Sequence, residues 1–353
     1  MTYSQLKRTV TEVIVRRTLN EMKRDPKRSI RKLVDLGNEN IKGRFWGQFL
    51  RTAQKMLSQE DSPYYIFLQN IINTVDPEIL LTFGMNLGWN SLTEGASKIR
   101  AKEAESGFNI PWSLTFHLKD MPGCLDEGEY FRLIHEGRDL GIRSYFLFTE
   151  DIPSVQRALR LATDAKDSAF CLLLPSKCRV EEQIGLLEGN CHNIMFGVDG
   201  NGLYFKENIR FIRERKLLYL IFRRFSNQDD IKELLSGKWM EEMHSYLGMA
   251  VLFISEGTAD MDAEYSIYSY ALNARMEQRY PTLLLDFYPD TLYADLCISD
   301  DECFMGVLPD GTLTEYKTGK EAKTEVSVKG SSLLKLLQRF PKYVRGPEMD
   351  GTR

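Results

Sequence analysis

From residue 112 onward the chain alternates short, continuously apolar runs with longer segments whose apolar residues recur every three or four positions. The short runs fall at 112–118, 143–149, 169–174, 193–198, 218–225, 249–255 and 282–287, and are rich in Phe, Leu, Ile and Val. Runs of this length and composition predict strands buried on both faces. Between them, 126–139, 155–165, 205–215 and 230–246 carry helical spacing. Strand–helix alternation builds a parallel sheet with right-handed crossovers. The pattern therefore predicts an α/β fold, a partial TIM-like barrel of about six such units.

Before residue 106 the period is helical throughout. Leu6, Val10, Val13, Ile14 and Leu19 follow it, Asp25-Pro26 opens a second helix, and Gly37 is expected to close that helix. Further helices are expected at 45–57, 63–72, 77–87 and 92–104. The aromatic cluster Phe45, Trp46, Phe49, Tyr64, Tyr65 and Phe67 reads as core between these helices. After the barrel, Pro309-Asp310-Gly311 predicts a hairpin turn between strands at 304–308 and 313–316, followed by a helix at 331–340. The expected division is an N-terminal helical region over 1–106, the partial barrel over 107–290, and a C-terminal hairpin and helix over 291–353.

Charge sharpens the contrast between arm and body. Residues 1–60 hold 14 Lys and Arg against 6 Asp and Glu, a surplus of +8, whereas the whole chain carries −4, leaving −12 on the remainder. No aromatic or glycine-rich nucleic-acid module accompanies the basic residues, so we expect no nucleic-acid partner. Instead, the arm is expected to dock on the barrel or on another protein chain, with an oligomer as one outcome. The longest apolar runs, such as 217–222, fall far short of the ~18–20 residues of a membrane span, and the first residues lack the apolar core of a secretory signal. Six cysteines at irregular spacing form no Cys-x2-Cys pair. We expect reduced thiols in a cytoplasmic protein.

Working residues in parallel barrels sit at the carboxyl ends of strands. Here those ends supply Asp120, Glu150 with Asp151, Asp199, Arg223 with Arg224, Glu256 and Asp286. Such a ring suits a divalent cation or a cationic ligand. The same residues also serve as helix caps and as partners of the arginines, the commoner use of polar strand ends. Of the four histidines, His117 lies in the first strand; His135, His192 and His244 fall outside strands. Nucleotide-binding glycine loops, Gly-x-Ser-x-Gly and His-Glu-x-x-His are absent.

The ordered set of motifs resembles the radical S-adenosylmethionine (SAM) superfamily, in a clostridial branch with a helical N-terminal arm. Asn109-Ile110-Pro111-Trp112 enters a first strand, and the loop after it is where that family places Cys-x3-Cys-x2-Cys around a four-iron four-sulfur cluster. This loop holds Cys124 alone. With Cys124 as first ligand the others fall on Gly128 and Phe131; as second, on Asp120 and Glu127; as third, on His117 and Met121. No register supplies the thiolates a cluster needs. The second strand ends in Glu150-Asp151-Ile152-Pro153, where the family has Gly-Gly-Glu-Pro so that backbone can approach the amino group of SAM. From Tyr293 to Tyr316 the chain resembles an auxiliary-cluster (SPASM-like) hairpin, with Cys297 at its first cysteine position and Tyr316 at its second. The resemblance thus implies a radical SAM-like partial barrel without cluster, SAM or other cofactor. Its expected role is a pseudoenzyme that binds a small ligand or a protein partner, such as a cysteine-complete relative. Alternatives are an enzyme using cation-assisted chemistry at the acidic mouth, and a radical SAM enzyme with atypical ligation through Cys124 and His117.

Overall fold

The computed structural model describes residues 3–22, 24–40, 44–184, 191–257, 260–299, 301–317 and 319–341. Its described strands are β1 (Ser113–Leu118), β2 (Ser144–Thr149), β3 (Ala169–Leu173), β4 (Ile194–Asp199), β5 (Tyr219–Phe225), β6 (Ala250–Ser255), β7 (Leu283–Asp286), β8 (Gly306–Val307), β9 (Thr312–Lys317) and β10 (Lys320–Ser327). They form one curled, mostly parallel half-barrel sheet in the order β10-β9-β8-β1-β2-β3-β4-β5-β6-β7. All seven apolar runs of the barrel segment are strands, and each pairs in parallel with the next.

The runs are apolar at every position because both faces are covered. Leu114, Phe116, Tyr145, Leu147, Phe170, Leu172, Phe196, Ile221 and Phe253 pack against the outer helices. Phe148, Cys171, Leu173, Leu220, Phe222, Leu252 and Ile254 point the other way and make a second core inside the curl. That inner core is completed by Phe287, Tyr288 and Leu292 of helix Phe287–Ser299, and by Phe304.

Helix Phe287–Ser299 corrects the expectation of a hairpin beginning near Tyr293. The Asp295 carboxylate accepts the Trp112 N–H at 3.0 Å, and Trp112 Nε1 donates to Thr291 O at 3.1 Å. These bonds fasten the helix across the start of β1. The hairpin expected between 304–308 and 313–316 is present as antiparallel β8 and β9, and β9 pairs in turn with a strand that was not expected, β10. Lys320, at the start of β10, lies beside the loop after β6, where a side chain on Gly257 would meet its Cβ at 3.2 Å.

The arm comprises helices Tyr3–Met22, Pro26–Asn40, Arg44–Leu57, Pro63–Thr74 and Pro77–Gly84, a π-helical segment Met85–Gly95, and helix Ala96–Ser106. Ser62 and Asp76 cap two of these helices, each followed by proline at the first helical position. Two expected breaks are absent. The chain stays helical past Gly37, whose bare Cα lets Leu50 close to 3.1 Å of where a Cβ would stand. Between 87 and 92 it winds wider instead of stopping. There Asn86 Nδ2 donates to the carbonyls of Lys166 and Ser168 at 2.8 and 3.0 Å, and Asn90 Nδ2 to Asp167 O at 2.9 Å. With Asn70 Nδ2 on Leu247 O and Tyr64 OH on Arg275 O, both 2.9 Å, the arm grips segments that lead into β3, β6 and β7. Gly95 and Gly141 touch backbone to backbone in the same contact, so closely that a Cβ on either would strike the other's carbonyl. The arm therefore covers the amino ends of the strands and leaves the carboxyl ends as the mouth.

Candidate functional site

Strand parity decides where the strand-end residues point. Arg223, Phe253 and Asp286 share one register row, and Phe253 belongs to the outer core. Arg223 and Asp286 accordingly enter the helix layer rather than the mouth. Arg223, 3 % exposed, pairs with Glu233 at 2.5 Å and Asp230 at 3.6 Å and lies over the Trp239 ring. Asp286 is 1 % exposed, and neither of its carboxylate oxygens has a hydrogen-bond partner. Burial, reinforced by the nearby Asp290 and Glu264 carboxylates, pushes its carboxyl well above the usual range despite Arg275. Arg275 is instead held by Asp290 in a two-pronged pair at 2.8 and 3.0 Å.

Asp120, Glu150 and Asp151 do gather on the loops after β1 and β2, but structural contacts engage them. Lys119 pairs with Glu150 at 2.7 Å. Asp151 caps helix Ile152–Asp164, accepting the Ser154 N–H at 2.8 Å and the Asp120 N–H at 2.9 Å. Desolvation alone would raise its carboxyl, yet these donors and Arg157 hold it below the ordinary value. Arg157 also stands 3.8 Å from Asp120. Asp199 accepts from Ser176 and from the Asn201 N–H at 2.9 Å, while Glu256 is exposed after β6. Among the described residues, no three His, Cys, Asp or Glu side chains are placed to hold a metal ion.

A different set converges inside the curl. His117 points inward with Phe148, its ring 5.0 Å from that of Phe148, and its Nε2 meets both Glu321 oxygens at 2.9 and 3.1 Å. Glu321 also accepts from Tyr288 OH at 2.7 Å and from Thr314. Burial works against ionisation of Glu321, but His117, Thr314 and Tyr288 together keep its carboxyl below the usual value. Arg224, inward where Arg223 is outward, lies over the Phe148 ring at 5.3 Å. Tyr316 stacks on Tyr288 at 5.0 Å. Sequence reasoning missed Tyr288 and Glu321 because it lacked the helix after β7 and β10, and it missed Thr314, on an expected strand, because the acceptor it meets was not known. A faint signal was present in 320–327, where a polar segment carries Thr and Val at alternate positions.

The side chains around Cys124 do not fit an iron–sulfur cluster. Cys124 is half-buried in a turn, its N–H donating to Met121 O at 3.1 Å, with Gly123 beside it at φ +80°. Lys329 Nζ on Gly123 O at 3.0 Å and the Leu125 N–H on Pro309 O at 2.7 Å pin the turn to the hairpin. His117, the nearest imidazole in sequence, already has its Nε2 on Glu321. The other five cysteines are buried, and burial pushes the thiols of Cys171 and Cys178 up to about 12 and that of Cys191 up to about 11. Cluster ligands are thiolates, which such surroundings disfavour. The pair read from the hairpin resemblance is likewise divided: Cys297 Sγ donates to Gln48 of the arm at 3.1 Å, whereas Tyr316 stacks inside the curl.

Compared with models of known families and with curated proteins, the chain matches none. No described helix is long and apolar enough to cross a membrane.

Proposed function

We propose that this protein is a cluster-free, radical SAM-like barrel that works by binding a ligand or a protein partner rather than by cleaving SAM. The observation that carries this reading is the use made of the loop after β1. Its lone thiol, Cys124, has no partner thiolates, and its backbone is tied to Asp151, which stands where the resemblance expects a glycine. Tight packing of Phe148, Phe287 and Tyr288 inside the curl supports the same reading, since these rings take up space a bound cofactor would use. The natural protein partner is a cysteine-complete family enzyme whose substrate-side or assembly surface this chain would meet.

Cation-assisted chemistry through Asp120, Asp151, Asp199, Glu256 or Asp286 has less support, because Asp151 caps a helix and Asp286 faces the helix layer. A thermal-shift screen separates the readings. A ligand that binds only the native state at one hundred times its dissociation constant adds about 2.7 kcal/mol. SAM and divalent cations are expected to leave the melting temperature unchanged, and a cysteine-complete relative to raise it. A saturable shift with SAM, abolished by altering residues 150–152, would overturn the proposal.

A further inference from the structure

Helix Tyr3–Met22 is apolar on two sides. Thr18, Leu19 and Met22 pack into the arm, with Thr18 and Met22 only 3 and 4 % exposed. On the opposite side Leu6, Val10, Val13 and Ile14 are 51, 50, 60 and 40 % exposed. Their spacing places them in a single stripe along the helix. A contiguous exposed apolar stripe marks a contact surface. Arg17, which also meets Glu21 at 2.7 Å, and Arg24 just past the helix are exposed beyond this stripe, so it runs into a region of net positive charge.

A surface of matching character lies on the body of the same chain. Helix Met261–Met276 presents Met261 and Tyr265, 61 and 71 % exposed and one turn apart. Asp262, also exposed, stands beside them. This patch offers large apolar side chains and a carboxylate where the arm offers aliphatic side chains and guanidinium groups.

We propose that the Leu6–Val10–Val13–Ile14 stripe packs against the Met261–Tyr265 surface of a second copy of this chain, reciprocally, in a twofold dimer. Charge selects this occupant. The arm is +8 and the rest of the chain −12, so one sequence carries both complementary halves. Pairing of two arms would instead bring together two segments of +8 each, a like-charge contact that disfavours it. A twofold axis uses the arm–body contact twice, once in each direction.

Light scattering on the full chain, across a dilution series, tests the proposal. The expected mass is twice 40.8 kDa at micromolar concentration. Val10→Asp with Val13→Asp on the arm, and separately Tyr265→Glu on the body, should each yield the monomer with an unchanged circular dichroism spectrum. Arg17→Glu or Asp262→Arg alone should raise the dimer dissociation constant about tenfold, and the two together should restore it. A wild-type monomer throughout the series overturns the proposal. So does a dimer that survives Tyr265→Glu, because the stripe would then have another occupant.

Discussion

His117 on β1 and Glu321 on β10, 204 residues apart in sequence, meet inside the half-barrel with Nε2 2.9 Å from one carboxylate oxygen and 3.1 Å from the other. The contact ties the edge hairpin to the middle of the sheet, and Tyr288 and Thr314 share the same carboxylate. Removing that carboxylate leaves buried Tyr288 and Thr314 and half-buried His117 without their acceptor. Glu321→Ala should therefore cost about 2–3 kcal/mol in urea unfolding, the scale for donors that lose a charged acceptor. A loss below ~1 kcal/mol would mean the pair is solvated.

The same carboxylate sets an acid limit. Its carboxyl lies below the ordinary value in the folded protein, so its contribution is present above the unfolded-state pKa and is lost as pH falls through the folded one. Stability measured from neutral pH downward should fall for the wild type and less steeply for Glu321→Gln. Parallel acid limbs for the two proteins would contradict this.

Asp286 acts in the opposite direction. Its folded pKa is raised, so its contribution is complete below the unfolded-state value and is lost as pH rises through the folded one. Asp286→Asn removes that loss and adds donors near the Asp290 carboxylate. The variant should gain about 1–2 kcal/mol at pH 8 relative to the wild type and show a flatter alkaline limb. Equal stability of the two proteins at pH 8 would show that Asp286 is solvated or paired.

Tyr130 is wholly buried and its hydroxyl has no hydrogen-bond partner, nor does Nη1 of Arg157, whose charge acts on that hydroxyl. Deleting an unsatisfied buried hydroxyl is neutral or stabilising by up to ~1 kcal/mol. Tyr130→Phe should thus unfold at the same or higher urea concentration. A loss above ~1 kcal/mol would reveal a molecule bridging Tyr130 and Arg157.

Thiol reactivity isolates Cys124. It is half-buried, while the other five cysteines are buried. A thiol reagent should modify one cysteine rapidly in the native protein and six after denaturation, with the rapid phase absent from Cys124→Ser. A second rapid thiol would show that one of the buried cysteines is accessible.

Period and composition made the barrel legible. Doubly buried strands must be apolar at nearly every position, and the runs ending at Leu118, Thr149 and Phe225 announced themselves that way. The edge of the sheet was silent. Residues Lys320–Ser327 are half exposed and mostly polar, a composition shared by strands and loops. Helix Phe287–Ser299 was hidden because apolar residues surround it, leaving no face for a period to mark. The site followed these gaps. Strand ends located Asp120 and Asp151, but the twofold alternation of side chains sends Arg223 outward and Arg224 inward, and only the register settles which is which. Tyr288 and Glu321 could not be paired with His117 before their elements were known.

Anaerobic reconstitution with iron and sulfide tests the proposed cluster-free barrel most directly. The protein should stay colourless near 400 nm (the usual cluster absorption) and retain no stoichiometric iron or sulfide after desalting. Several iron and sulfide per chain, lost on Cys124→Ala, would contradict the proposal.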